Sequence, residues 1–253
     1  MSRMELKFHI NTSAKMFEDL KDKNILVVGA SKGIGKQLAI TLSTLGSNLF
    51  VVGRNIELIE ELKSHIACKS YICDIDDEEQ VKQLSSSLPR LDGLCIVSGF
   101  VRLIPPKMLS KKMVDAQVIT NLASPLSLVG ALLRKNVIND GASIIFTSAA
   151  GRLCQPPCTA PYAGAKLGLH GAARSLASDL GQRKIRVNTV SFDYVDTDMI
   201  KSIERMDTDT IGVAPVEYSP IPYLFLLSEM SRWTSGQIIA ADAGRMLGKV
   251  RYV

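Results

Sequence analysis

The chain has 253 residues, 46% of them hydrophobic, and a formal net charge of +5 at pH 7, a balance suited to one large globular domain or two small ones. Its Lys and Arg residues are dispersed, with no run longer than two and no aromatic-interleaved basic stripe, which argues against a nucleic-acid surface. No apolar run approaches the roughly 18 residues of a membrane span, and the opening MSRMELKFHI has neither a signal-type apolar region nor a small-residue cleavage site, so the expected setting is cytoplasmic, with no membrane partner.

Residues 1–16 precede the first structural unit and are read as an N-terminal extension; residues 17–253 have no Pro/Gly/Ser-rich linker and read as a single domain. The first strand is predicted in NILVVG (24–29), followed by a helix with Leu38, Leu42 and Leu45 on one face and Gly46 past its end as a cap. Between them lies a glycine turn, Gly29, Gly33 and Gly35 spaced G-x-x-x-G-x-G. Glycine lets the backbone turn tightly and approach a phosphate, while the helix N-terminus attracts negative charge. The spacing is neither the G-x-G-x-x-G fingerprint nor a P-loop, because position 30 is Ala and Lys36 is followed by Gln37.

NLFVVG (48–53) predicts the second strand, and it ends on Gly53 and Arg54 where an NAD-preferring site commonly has an acid. A guanidinium there, helped by Lys32 of the glycine turn, suits a 2'-phosphate. The expected cofactor is NADP(H). SYICD (70–74) and GLCIVSG (93–99) predict the third and fourth strands, and SIIFTS (143–148) the fifth, with Ser148 at its carboxyl end.

PYAGAK then opens a helix with Tyr162 four residues before Lys166, which puts both on one face. A positive charge about 4 Å from a phenol, at an effective dielectric near 20, is worth roughly 4 kcal/mol, or about three pKa units. A phenol lowered toward neutrality is well matched to general acid/base work. IRVNTVSF (185–192) and GQIIAAD (236–242) complete the strands, and between them Asp198 to Ala214 is expected to form a substrate lid. Alternating strands and helices imply a Rossmann-like, doubly wound α/β domain, a parallel sheet of about seven strands flanked by helices, with its site beyond the strands' carboxyl ends. Five cysteines, odd in number and without a CxxC pair, and three scattered histidines predict reduced thiols and no metal site.

GASKGIG, CDIDD, VITNLASP, TSAAG, the Tyr162 to Lys166 pair, IRVNTVS and SGQIIAADAG follow one another at spacings that resemble the classical short-chain dehydrogenase/reductase family over almost all of residues 20–248. The nearest resemblance is to its 3-oxoacyl thioester reductase-like branch. It implies a tetrad of Asn121, Ser148, Tyr162 and Lys166. Tyr162 would protonate the carbonyl oxygen as hydride arrives, Ser148 would polarise that carbonyl, Lys166 would bind the nicotinamide ribose and lower the tyrosine pKa, and the region of Asn121 would support a water on the proton path. The cofactor residues implied are Gly29, Ser31, Lys32, Gly33, Ile34 and Gly35 in the first turn, Arg54, then Asp74 and Ile75 at the adenine, Gly99, and Val195 and Thr197 at the carboxamide. The resemblance also implies a small-molecule carbonyl or alcohol substrate and a homo-oligomer, tetramer or dimer.

Several positions depart from the family pattern. Val28 replaces a threonine; Ile96, Val97, Ser98 and Gly99 stand for Asn-Asn-Ala-Gly; Phe192 and Asp193 stand for Pro-Gly near the nicotinamide; and the loop from Ala149 to Pro161 is about one residue longer than usual. The reading is therefore an NADPH-dependent ketoreductase acting on a 3-oxoacyl thioester. Its alternatives are reduction of a keto-sugar or polyketide-type intermediate, and a non-catalytic NADP-binding subunit.

Overall fold

The computed structural model describes residues 15–149, 157–201 and 213–244. Seven strands form one parallel sheet: β1 (Asn24–Val28), β2 (Asn48–Gly53), β3 (Lys69–Ile72), β4 (Leu91–Ile96), β5 (Ile138–Ala149), β6 (Arg186–Phe192) and β7 (Ile238–Ala241), in the order β3-β2-β1-β4-β5-β6-β7. Because β1 lies between β2 and β4, the chain reverses its direction of travel across the sheet at β1, and the turns after β1 and β4 part to leave a crevice.

Both faces of the strands are apolar, and the pleat sends alternate residues to different layers. Ile25 and Val27 join one core with Leu38 and Leu42 of α1 (Gly33–Thr44), Ile59 and Leu62 of α2 (Ile56–His65) and Tyr223 and Leu224 of α8 (Ile221–Leu227). Leu26 and Val28 join the other, with Val81 and Leu84 of α3 (Glu78–Ser87). There the long helices complete the cover. Residues Lys111–Arg134 run through α4 (Lys111–Val118), a wide π turn (Ile119–Ala123) and α5 (Ser124–Arg134). By length and hydropathy this stretch is apolar enough to cross a membrane, yet Leu128, Val129 and Leu132 bury its apolar face in the protein's own core. Beside it lies α6 (Ala160–Leu180), which packs on β5 and β6 through Leu169 and Ala173.

Strand β5 begins at Ile138, five residues before the apolar run that predicts it. The intervening Asn139, Asp140 and Gly141 read as a turn, and in the structure Gly141 has φ +80° where the register with β4 shifts. Of the expected lid, the short α7 (Asp198–Lys201) and the bridge between Val195 and Ala214 are described, while residues 202–212 lie outside the described part, as do residues 1–14 of the N-terminal extension.

Inside β6 the sequence conceals a cation. Arg186 is 9% exposed and donates to the carbonyl of Leu226 and to Ser231 Oγ, each at 2.7 Å, closing the C-terminal end of α8. Burial lowers its pKa, and the charges of Glu229 and Asp19 partly oppose that.

Candidate active site

The crevice at the reversal of the sheet is a cleft of about 380 Å³, lined by the turn after β1, the ends of β2 and β3, and Val97 to Gly99. The turn is shaped by close backbone approach. Gly29 (φ +89°) and Ala30 donate to the Val52 carbonyl at 2.9 and 3.1 Å. A Cβ on Gly35 would lie 2.1 Å from the Gly29 carbonyl oxygen, and one on Gly29 would lie 2.6 Å from the Ser98 nitrogen. Neither position admits a side chain. Helix α1 starts without a side-chain cap, so the N–H groups of its first turn remain for an anion in the cleft. A glycine-walled cleft lined from Arg54 to Gly99, with the uncapped start of α1 in its wall, fits a dinucleotide.

Of the residues expected at the cofactor, Gly29, Ser31, Lys32, Gly33, Ile34, Gly35, Arg54, Asp74, Ile75, Gly99 and Thr197 all line this cleft. Val195 does not; its side chain is 4% exposed and belongs to the apolar core. Asn55, Leu58 and Thr120 also line the cleft without having been expected there, and Asp198 and Met199 reach it from the start of the expected lid. Asn55, Thr120 and Asp198 lie next to the expected Arg54, Asn121 and Thr197, whereas nothing in the sequence marked Leu58. Arg54 is not alone at the outer end. Its Nη1 lies 3.5 Å from Asp74 Oδ2, both side chains remaining exposed, so the guanidinium stands at the mouth with a carboxylate beside it.

Inward of Gly99 three of the four expected tetrad residues, Asn121, Ser148 and Lys166, come together. Ser148 Oγ donates to the Lys166 carbonyl at 2.8 Å, and Lys166 Nζ donates to the Thr147 carbonyl at 3.0 Å, so the end of β5 and α6 are bonded in both directions. Asn121, fully buried in the π turn, accepts from the Phe100 N–H through Oδ1 at 3.2 Å, and its Nδ2 donates to the carbonyls of Phe100 and Gln117, each at 2.9 Å. Pro125 has no N–H with which to continue a regular ladder, which favours the wide turn here. A Cβ on Gly99 would fall 2.7 Å from Asn121 Oδ1 and 2.9 Å from Lys166 Nζ, so these three residues meet at one point. Tyr162 stands one turn before Lys166 on the same helix.

The lowered phenol expected from the spacing is corrected by the structure. Burial pushes Tyr162 up to about 12 and Lys166 down to about 8. Desolvation dominates because the ammonium is directed at the Thr147 carbonyl.

The departures from the family pattern resolve into packing. Ile96 is buried, and the Val28 carbonyl accepts from the N–H groups of both Val97 (2.9 Å) and Ser98 (3.0 Å), so main-chain bonds hold this strand end. Phe192 is buried with its ring 5.8 Å from that of Tyr223, and the Asp193 N–H donates to the Ala241 carbonyl at 3.2 Å. The thiols of Cys73 and Cys95 are raised by burial, Cys73 to about 11. Cys154 and the loop through residue 156 lie outside the described residues.

The model of one protein family, described as enoyl-(acyl carrier protein) reductase, matches residues 29–245. A 3-oxoacyl-[acyl-carrier-protein] reductase of Rickettsia conorii is 27% identical over 239 residues, covering 90% of this chain and 99% of that protein. An L-xylulose reductase of Caenorhabditis elegans is 28% identical, covering 89% and 96%. Among solved structures, the angucycline C-6 ketoreductase LanV with bound NADP superimposes with a TM-score of 0.82 at 25% identity, over 90% of this chain and 97% of that one.

Proposed function

The chain belongs to the classical short-chain dehydrogenase/reductase family of oxidoreductases, which use NAD(P)(H), and is 3-oxoacyl-[acyl-carrier-protein] reductase-like; from that premise we propose that it is an NADPH-dependent reductase converting a carbonyl to an alcohol, with a 3-oxoacyl thioester as substrate. The observation that carries the reading is the convergence of Asn121, Gly99 and Lys166, with Ser148 bonded to the same turn of α6, at the inner end of a glycine-walled cleft. Bound NADPH supplies the hydride. Tyr162, kept protonated by its burial, donates its proton to the carbonyl oxygen being reduced. Ser148 turns its hydroxyl to that oxygen and polarises it. Lys166 brings a positive charge that favours the phenolate left behind. Arg54 and Lys32 take the 2'-phosphate.

Reduction of a keto-sugar or a polyketide-type ketone is the second reading, favoured by the resemblance to an L-xylulose reductase and an angucycline ketoreductase. A panel of acetoacetyl thioester, keto-sugars and aromatic ketones, each with NADPH and NADH, separates the substrate classes. We expect steady NADPH oxidation with the thioester and a loss of at least about a hundredfold in Tyr162→Phe, with NADPH binding retained. NADPH binding without turnover on any member of the panel would instead make the chain a cofactor-binding subunit.

A further inference from the structure

The end of β5 carries Thr147 and Ser148, and it overhangs its neighbour. Strand β4 stops at Ile96, opposite Phe146, so residues 147–149 pair only with Val190, Ser191 and Phe192 of β6. With β4 ended, the Thr147 carbonyl meets the Lys166 ammonium, while Ser148 reaches the Lys166 carbonyl. Both bonds run to α6, on one face of the sheet. On the other face a long side chain from α8 reaches the same strand end. Tyr223, fully buried, shares a 2.6 Å hydrogen bond between its hydroxyl and Thr147 Oγ1, and its ring packs on Phe192, the register partner of Ala149.

A buried hydroxyl is costly unless paired, and these two pair with each other. Phenylalanine would fill the same space without needing a partner. We propose that Tyr223 is a positioning residue: by its bond to Thr147 and its packing on Phe192 it fixes the overhanging end of β5, and with it the carbonyl that receives Lys166 and the hydroxyl of Ser148. Phe192, which stands where the family usually has proline, is thereby part of the support rather than a defect of it. The inference rests on the reductase reading for its effect on rate, and on the geometry alone for its effect on the strand.

Tyr223→Phe keeps the ring and removes the bond. On the full-length protein we expect kcat with NADPH and the preferred carbonyl substrate to fall roughly five- to tenfold, the scale of one lost buried hydrogen bond and a displaced catalytic group. The dissociation constant for NADPH is expected to stay within about twofold, because the cradle after β1 does not touch α8's hydroxyl. Thr147→Val should give a similar loss, and the double variant no further loss, since both remove one bond. Amide hydrogen exchange at residues 147–149 should quicken in each variant while the other strands stay protected. An unchanged kcat, losses that multiply in the double variant, or unchanged exchange at the β5 end would each overturn the proposal. If the wild-type protein turns over no carbonyl, the reductase reading fails, and the exchange measurement alone decides whether Tyr223 holds the strand.

Discussion

Tyr162 and Lys166 show how two side chains can be found from spacing while their acidity is not. A four-residue interval fixes a shared helix face, but the sign of each pKa shift depends on how much water reaches the group. Burial sends both toward their neutral forms, Tyr162 to about 12 and Lys166 to about 8. A phenol at about 12 stays protonated throughout the working range, whereas an ammonium at about 8 is lost as pH rises through that value. The rate of carbonyl reduction is therefore expected to be level below about pH 8 and to fall above it, and kcat/KM measured from pH 6 to 10 checks this. A rate that climbs through pH 8 would show that ammonium loss does not limit the reaction. Ser148 was legible from its place at a strand's carboxyl end, Lys166 from its interval to Tyr162 and Asn121 from the family resemblance alone, and the three come together. Tyr223 was not. Its partner Thr147 is 76 residues away in sequence, and a tyrosine in the apolar run IPYLFLL carries no mark of a polar role.

Among the elements, the strands were the most readable, since unbroken β-branched runs bounded by glycine leave few alternatives. What escaped the sequence was where polar residues enter them. The early start of β5 passes through Asn139, Asp140 and Gly141, which have low strand propensity and are tolerated because Ile138 can pair with Leu91 before the shift in register. Arg186 sits in a run that otherwise reads as wholly buried, and it is tolerated because the Leu226 carbonyl at the end of α8 and Ser231 Oγ just beyond it accept its hydrogen bonds. Replacing Arg186 by Met should lower stability by about 1–3 kcal/mol, a melting temperature fall of roughly 3–10 °C, because the α8 carbonyls lose their cationic donor. Calorimetry checks the size of the fall. A variant as stable as the wild type would mean that apolar packing replaces the clamp without loss, as happens at some buried ionic sites.

For the molecule as a whole, the cleft is shared across the sheet: β1, β2 and β3 lead into the glycine turn, Arg54 and Asp74, β4 leads into Gly99, and the end of β5 sets Ser148 beside Lys166 inward of it. A dinucleotide lying across the reversal would touch both halves and stabilise the folded state by mass action. At a hundred times its dissociation constant NADPH should contribute about 2.7 kcal/mol, raising the melting temperature by roughly 5–10 °C. Equal NADH should raise it less, and Arg54→Asp should remove the difference; equal shifts in the wild type would defeat the phosphate assignment. The wide turn at Ile119–Ala123 carries a consequence for how the long helix serves this arrangement. Each residue of a regular helix advances the azimuth by about 100°, so the surplus residue in the turn rotates α5 against α4 by nearly that amount. One rod thereby acquires two headings, Gln117 and Asn121 gripping the backbone of residues 100 and 102, and Leu128 and Leu132 seated on the sheet. A straight helix could satisfy only one of these aims at a time.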